Sequence, residues 1–173
     1  MHGGATTKRP LRIAHSPTNE RIKGSSILRD VVKDLNAQGV PVVVDYIRNV
    51  SLAESLVRKA LCDVAFDSFW LGIQGSGLEA GAMELPVIAG DEHAASLYDE
   101  EIGYTPYTFA NDAAGLAKQI RRLAMDAGAR EDATKLTADY VEQVHDYAAV
   151  ALRYEQMLAR VLGRPDVLTW GAE

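Results

Sequence analysis

The chain reads as an α/β protein, a doubly wound parallel sheet followed by a helical C-terminal tail. Three observations predict this. Short apolar segments of strand length alternate with segments whose apolar residues recur at helical spacing, the order that builds a parallel sheet with helices on both faces. One segment, Val42-Val43-Val44, is continuously apolar, as a strand covered on both sides must be. Residues 67–90 run through a strand end, a glycine-rich loop, a helix start and another short strand in immediate succession.

The elements follow in order. After a polar leader, residues 1–10, Leu11-Arg12-Ile13-Ala14-His15 forms the first strand and ends in Ser16-Pro17-Thr18-Asn19. Ser25 or Ser26 caps a helix with Ile27, Leu28, Val31, Val32 and Leu35 inward, and Gly39 closes it. Val42 to Val44 with Tyr46 and Ile47 is the second strand. Asn49 or Ser51 opens a helix predicted to turn Leu52, Leu56, Val57 and Ala60 inward. Val64 to Phe66 is the third strand, and Gly72, Gly75 and Gly77 form a loop. The next helix is predicted to open on Leu78-Glu79-Ala80, which puts Glu79 in its first turn. Val87 to Ala89 is the fourth strand and Tyr107-Thr108-Phe109 the fifth. Asn111 or Asp112 caps a helix carrying Leu116, Ile120, Leu123 and Ala124. From Ala133 to Val161 the apolar residues keep close to a helical period, so one domain over 11–163 is predicted, with a tail at 164–173.

Composition narrows the function classes. At 173 residues, 47% apolar and 24% charged, the chain can bury the core of one soluble domain. A net charge of −6 leaves no basic stripe for nucleic acid. The leader lacks an apolar h-region and no apolar run nears the ~20 residues of a bilayer span, so neither a signal peptide nor a transmembrane segment is expected. The lone Cys62 fits a buried position in a reducing, cytoplasmic setting.

In doubly wound sheets, ligands bind beyond the carboxyl ends of the strands, where strand order reverses. The loops expected there are 16–24, 47–51, 67–78 and 90–95. A strand, a glycine loop and a helix start offer free N–H groups and the positive end of the helix to a phosphate. The Glu79 carboxylate beside them could hold hydroxyls, and phosphate plus hydroxyls points to a nucleotide or nucleotide-sugar. Lys23-Gly24-Ser25 is either a lysine reaching a phosphate or a solvated lysine before an N-cap. The P-loop spacing is absent, no GxGxxG marks the first turn, and Gly75-Ser76-Gly77 alone is a weak signal. His15 faces the cleft or bonds neighbouring backbone, and Asp67 faces the cleft or caps the loop. His93 faces the same cleft or is plain loop, while His145 is solvent-facing. Glu84 and Asp99-Glu100-Glu101 read as solvated surface, and Phe69 and Trp70 as loop core rather than base-stacking rings. No pair of histidines has metal-ligand spacing and no G-x-S-x-G elbow appears, so neither a metal site nor a serine hydrolase is expected.

HSPTNERIKGS (15–25), the Asp63 to Asp67 strand end, the 75–88 stretch GSGLEAGAMELPVI and the tail helix with Tyr147 and Tyr154 together resemble the C-terminal, donor-binding domain of GT-B glycosyltransferases. The branch they resemble is the group 1, glycogen-synthase-like superfamily, and the likeness covers nearly the whole chain. It implies a Rossmann-like half whose substrate is a nucleoside-diphosphate sugar, with no cofactor and no metal. It implies that Lys23 and Glu79 are the catalytic pair, Lys23 on the diphosphate and Glu79 on the ribose hydroxyls. The backbone of Gly75, Ser76, Gly77 and Leu78 would approach the phosphates, with Gly24 beside Lys23. Thr18 stands where the family commonly has an arginine, and Arg21 is close enough to substitute. Leu71 stands where the family's first glutamate contacts the donor sugar, and the glycine before Pro86 is missing. The activity implied is retaining, metal-independent hexosyl transfer, completed by an N-terminal acceptor domain in cis or by a partner chain. The C-terminal helices would cross that domain or make a homo-oligomer. The alternative is a non-catalytic binding or assembly module on the same fold, which Leu71 favours. A strand order other than 3-2-1-4-5 would favour an unrelated flavodoxin-like or epimerase-type domain.

Overall fold

Five short strands carry the chain's first unit: β1 (Leu11–His15), β2 (Val42–Tyr46), β3 (Val64–Phe66), β4 (Val87–Ala89) and β5 (Thr108–Phe109). They are seen in a computed structural model that describes residues 9–91, 98 and 102–163. The strands form one parallel sheet in the order β2-β1-β3-β4-β5. The order 3-2-1-4-5 is not found, because one strand-helix unit rather than two lies outward of β1. The chain steps from β1 to β2 and then crosses back past β1 to β3, so strand order reverses between β1 and β3.

One face of the sheet is covered by α1 (Ser25–Ala37) and α4 (Ala113–Met125). Leu28, Val31 and Leu35 from α1 and Leu116, Ile120 and Leu123 from α4 close on Ile13, Val64, Phe66 and Ile88. Each such side chain contributes about 1.5–3 kcal/mol by leaving water. Residues alternating with these, Ala14, Ala65 and Ala89, face the other side, where right-handed crossovers place α2 (Leu52–Ala60) and α3 (Gly75–Ala82).

The caps are partly as predicted. Ser51 accepts from Glu54 N–H at 3.2 Å and Asp112 from Gly115 N–H at 2.6 Å. α1 differs: neither Ser25 nor Ser26 caps it. Gly24, with φ 72°, precedes the helix, and Ser25 is its first residue with its hydroxyl turned to His15. The inward face of α2 also differs. Leu52 and Val57 are both 63% exposed, and the buried residue is Lys59. Two ion pairs, Arg58 with Asp45 and Lys59 with Glu79, set the rotation of this helix in place of its apolar stripe.

A second unit begins at Asp139, within α5 (Ala127–Tyr140). The predicted helical period does not run through unbroken. A π-helical turn, Val141–His145, leads to Asp146, whose carboxylate accepts from Ala148 N–H at 2.9 Å and starts α6 (Tyr147–Leu162). Gly163, in the left-handed region, closes α6. The α6 residues Tyr147, Tyr154, Met157 and Val161 are exposed. Among the described residues no helix is long and apolar enough to cross a membrane.

Candidate functional site

The loops after β1 and β2, the cleftward face of α2 and the start of α3 enclose a cleft of about 610 Å³. Small-molecule sites occupy roughly 300–1,000 Å³. The cleft lies at the carboxyl ends of the strands beside the reversal between β1 and β3, the ligand position of doubly wound sheets. Thr18 and Glu20 line it from the first loop, Arg48 and Asn49 from the second, and Ser76 and Glu79 from α3.

α3 starts at Gly75, three residues earlier than predicted, so Glu79 falls in its second turn. Glycines that read as loop are helical here because the entry to the helix is fixed from outside. Asp67 Oδ2 accepts from Gln74 N–H at 2.5 Å, and a Cβ on Gly77 would come within 2.7 Å of that same oxygen. The first intrahelical bond is Leu78 N–H to the Gln74 carbonyl at 2.8 Å, and Gln74 makes no side-chain cap. The N–H groups of Gly75, Ser76 and Gly77 therefore precede the ladder, as the first donors of any helix do.

Lys23 lies beneath this site rather than on the cleft lining. Its ammonium donates to Asp67 Oδ1 at 2.5 Å, with side chains only 9% and 1% exposed. Asp67 thus spends one oxygen on Lys23 and the other on the loop before α3. Gly24 next to it is required by packing: its φ is positive, and a Cβ there would overlap the Phe69 ring. Gly24→Ala is expected to destabilise the fold by about 2 kcal/mol, as overpacking does. Urea unfolding with no shift of midpoint would contradict this. Arg21 lines a smaller hollow with Gly24 and Trp70 instead of the main cleft.

Lys59 is the residue that the sequence reading missed. Its side chain is 1% exposed, and its ammonium donates to the Ser76 carbonyl at 3.3 Å and to the Glu79 carboxylate. The available signal was spacing: Ser55 and Lys59, four apart, form a polar stripe that the cleft takes up. Arg48 pairs with Glu20 at the same cleft. Ser16 Oγ, on a cleft-lining residue, is buried and has no hydrogen-bond partner among the described residues.

His15 is withdrawn from the cleft. It is fully buried, with Nδ1 at 2.9 Å from the Phe66 carbonyl and Nε2 at 2.7 Å from Ser25 Oγ. A carbonyl only accepts, so Nδ1 carries the hydrogen and Nε2 accepts from the serine hydroxyl. Burial lowers the imidazole pKa to about 4. Phe69 is fully buried and Trp70 is 40% exposed, while Leu71 is exposed and pairs with Asp91 in an isolated bridge. His145 is exposed yet bonded to the Tyr140 hydroxyl at 3.0 Å. His93 and residues 99–101 lie outside the described residues. Among the described residues no cluster of three His, Cys, Asp or Glu side chains is arranged to hold a metal.

No protein family and no curated protein matches the sequence. Among solved structures, the crystal structure of the GtfA/B complex is similar, with a TM-score of 0.64 at 16% identity over 90% of this chain. At that identity the likeness is one of fold alone. The match covers 37% of the other chain, so this chain spans little more than a third of its neighbour's length.

Proposed function

We propose that the chain is the donor-binding domain of a retaining, metal-independent glycosyltransferase that takes a nucleoside-diphosphate sugar and transfers its hexosyl group. The observation that carries this reading is the cleft beside the strand reversal, with the free N–H groups of α3 and the Glu79 carboxylate on one wall. In this reading Glu79 accepts from the ribose hydroxyls. The N–H groups of Gly75, Ser76 and Gly77 donate to the diphosphate, where negative charge grows as the glycosyl bond breaks. Lys23 adds its charge from below, through the loop that Asp67 holds. An acceptor-binding domain, in the same protein or in a partner, completes the site. The neighbour is described as a complex, and the exposed apolar residues of α6 offer a surface for such a partner or for a second copy.

Titration calorimetry of the chain against UDP, GDP, ADP and their sugar conjugates tests the reading. One base series is expected to bind, and Glu79→Ala to weaken it by about 1.5–3 kcal/mol, the range for a hydrogen bond to a charged group. A folded protein that binds none of them overturns the proposal.

A second reading, a non-catalytic binding or assembly module, is favoured by one feature. Each of the three cations at the site already has a carboxylate: Lys23 with Asp67, Lys59 with Glu79, Arg48 with Glu20. A silent nucleotide screen supports it. The order 2-1-3-4-5 is also that of flavodoxin-like sheets, which hold FMN at the same reversal, so FMN belongs in the screen.

A further inference from the structure

We infer that Lys59 is a positioning residue, whose buried ammonium fixes the Glu79 carboxylate and the first turn of α3 to receive the sugar hydroxyls of a nucleotide. The inference rests on the proposed function. Lysine is among the residues least often fully buried, and a buried ammonium is costly unless paired. Here both partners of the ammonium, the Glu79 carboxylate and the Ser76 carbonyl, belong to the cleft wall. A lysine serving the core alone would be expected to meet a buried carboxylate. The Glu79 side chain is instead 38% exposed.

The pairing divides the carboxylate's work. Oε2 is held by Lys59, and Oε1 has no bonded partner among the described residues. A carboxylate tied at one oxygen has already lost the freedom that ligand binding would otherwise remove, which is preorganisation.

The test compares UDP with dUDP, GDP with dGDP and ADP with dADP by calorimetry on the wild type, Lys59→Met, Lys59→Arg and Glu79→Gln. The wild type is expected to favour its ribonucleotide by roughly tenfold or more. Lys59→Met, which keeps the volume of the stem, brings that ratio close to one and leaves affinity for the 2′-deoxy form nearly unchanged. Lys59→Arg restores part of the ratio. An equal loss for both nucleotides, or no loss for either, overturns the inference, because a merely structural lysine moves the two together. Should Lys59→Met fail to fold, a preserved ratio in Glu79→Gln overturns it equally. A wild type that binds nucleotides without preferring ribose sinks this inference and the ribose role of Glu79, and leaves the donor-binding reading standing. One that binds no nucleotide sinks the proposed function with it.

Discussion

Asp67→Ala is expected to lower the unfolding free energy by about 3–5 kcal/mol, the cost of stranding one partner of a buried ion pair. The Lys23 ammonium sits 2.5 Å from Asp67 Oδ1 with 9% of its side chain exposed, so water cannot replace the lost carboxylate fully. The same change strips Gln74 N–H of its acceptor at the entry to α3. The loss therefore has two sources, an uncompensated charge and an unpaired donor. Removing both charges is a different experiment. Lys23→Met combined with Asp67→Leu should recover a substantial part, since apolar replacements of a buried pair are often near neutral. Urea denaturation of Lys23→Met, Asp67→Leu and the double variant measures the coupling. A single-variant loss under about 1 kcal/mol, or strict additivity in the double, would overturn this account. Asp67 takes the Lys23 ammonium and Lys23 is not on the cleft lining, so in the proposed reading its charge acts on a diphosphate only at a distance.

The sheet was legible because its signals are local. Four of the five strands begin where their apolar runs begin, but Val42-Val43-Val44, read as a strand covered on both sides, is the edge strand β2, and Val43 is 42% exposed there. Strand order was not legible, since it depends on where a crossover returns and not on any residue of the strand. α2 shows the limit of periodicity. Leu52, Leu56, Val57 and Ala60 read as the inward face, yet Leu52, Val57 and Ala60 are exposed and Leu56 is half-buried, and partners on β2 and α3 decide the helix's rotation. For the same reason Lys59 was missed: on a helix an isolated lysine reads as solvated until Glu79 is placed opposite it. Residues 75–77 were misread because glycine lowers helix propensity, while Asp67, eight positions upstream of Gly75, anchors the turn that makes them helical. The cleft itself was foreseen in its location, because loops at the carboxyl ends follow from the topology. Its charge pairing was not, because each pair joins residues 20 or more positions apart.

His15 should make the fold acid-sensitive by about 3 kcal/mol between pH 7 and pH 4. Its pKa falls from an ordinary 6.5 to about 4, chiefly because burial disfavours the imidazolium, against a smaller opposing pull from the Phe66 carbonyl. At each pH between those values the unfolded chain binds a proton that the native state refuses, so stability rises with pH. The contribution is complete above pH 6.5 and is lost as pH falls towards 4. Every tenfold difference in proton affinity between the folded and unfolded chain is worth about 1.4 kcal/mol. Geometry gives the same direction. Protonation puts a hydrogen on Nε2, which now accepts from Ser25 Oγ, so the serine must turn its hydroxyl hydrogen away inside a closed site. His15, Phe66 and Ser25 belong to the end of β1, the end of β3 and the start of α1, so the bond network ties two neighbouring strands to the helix packed on them. Urea unfolding at pH 7, 5.5 and 4 for the wild type and His15→Asn measures the effect, other titrating groups cancelling in the difference. The variant is expected to be less stable at pH 7 but to lose about 3 kcal/mol less on acidification. Equal pH slopes for the two proteins would show that His15 binds its proton equally in the folded and unfolded chains, and that the acid sensitivity arises elsewhere.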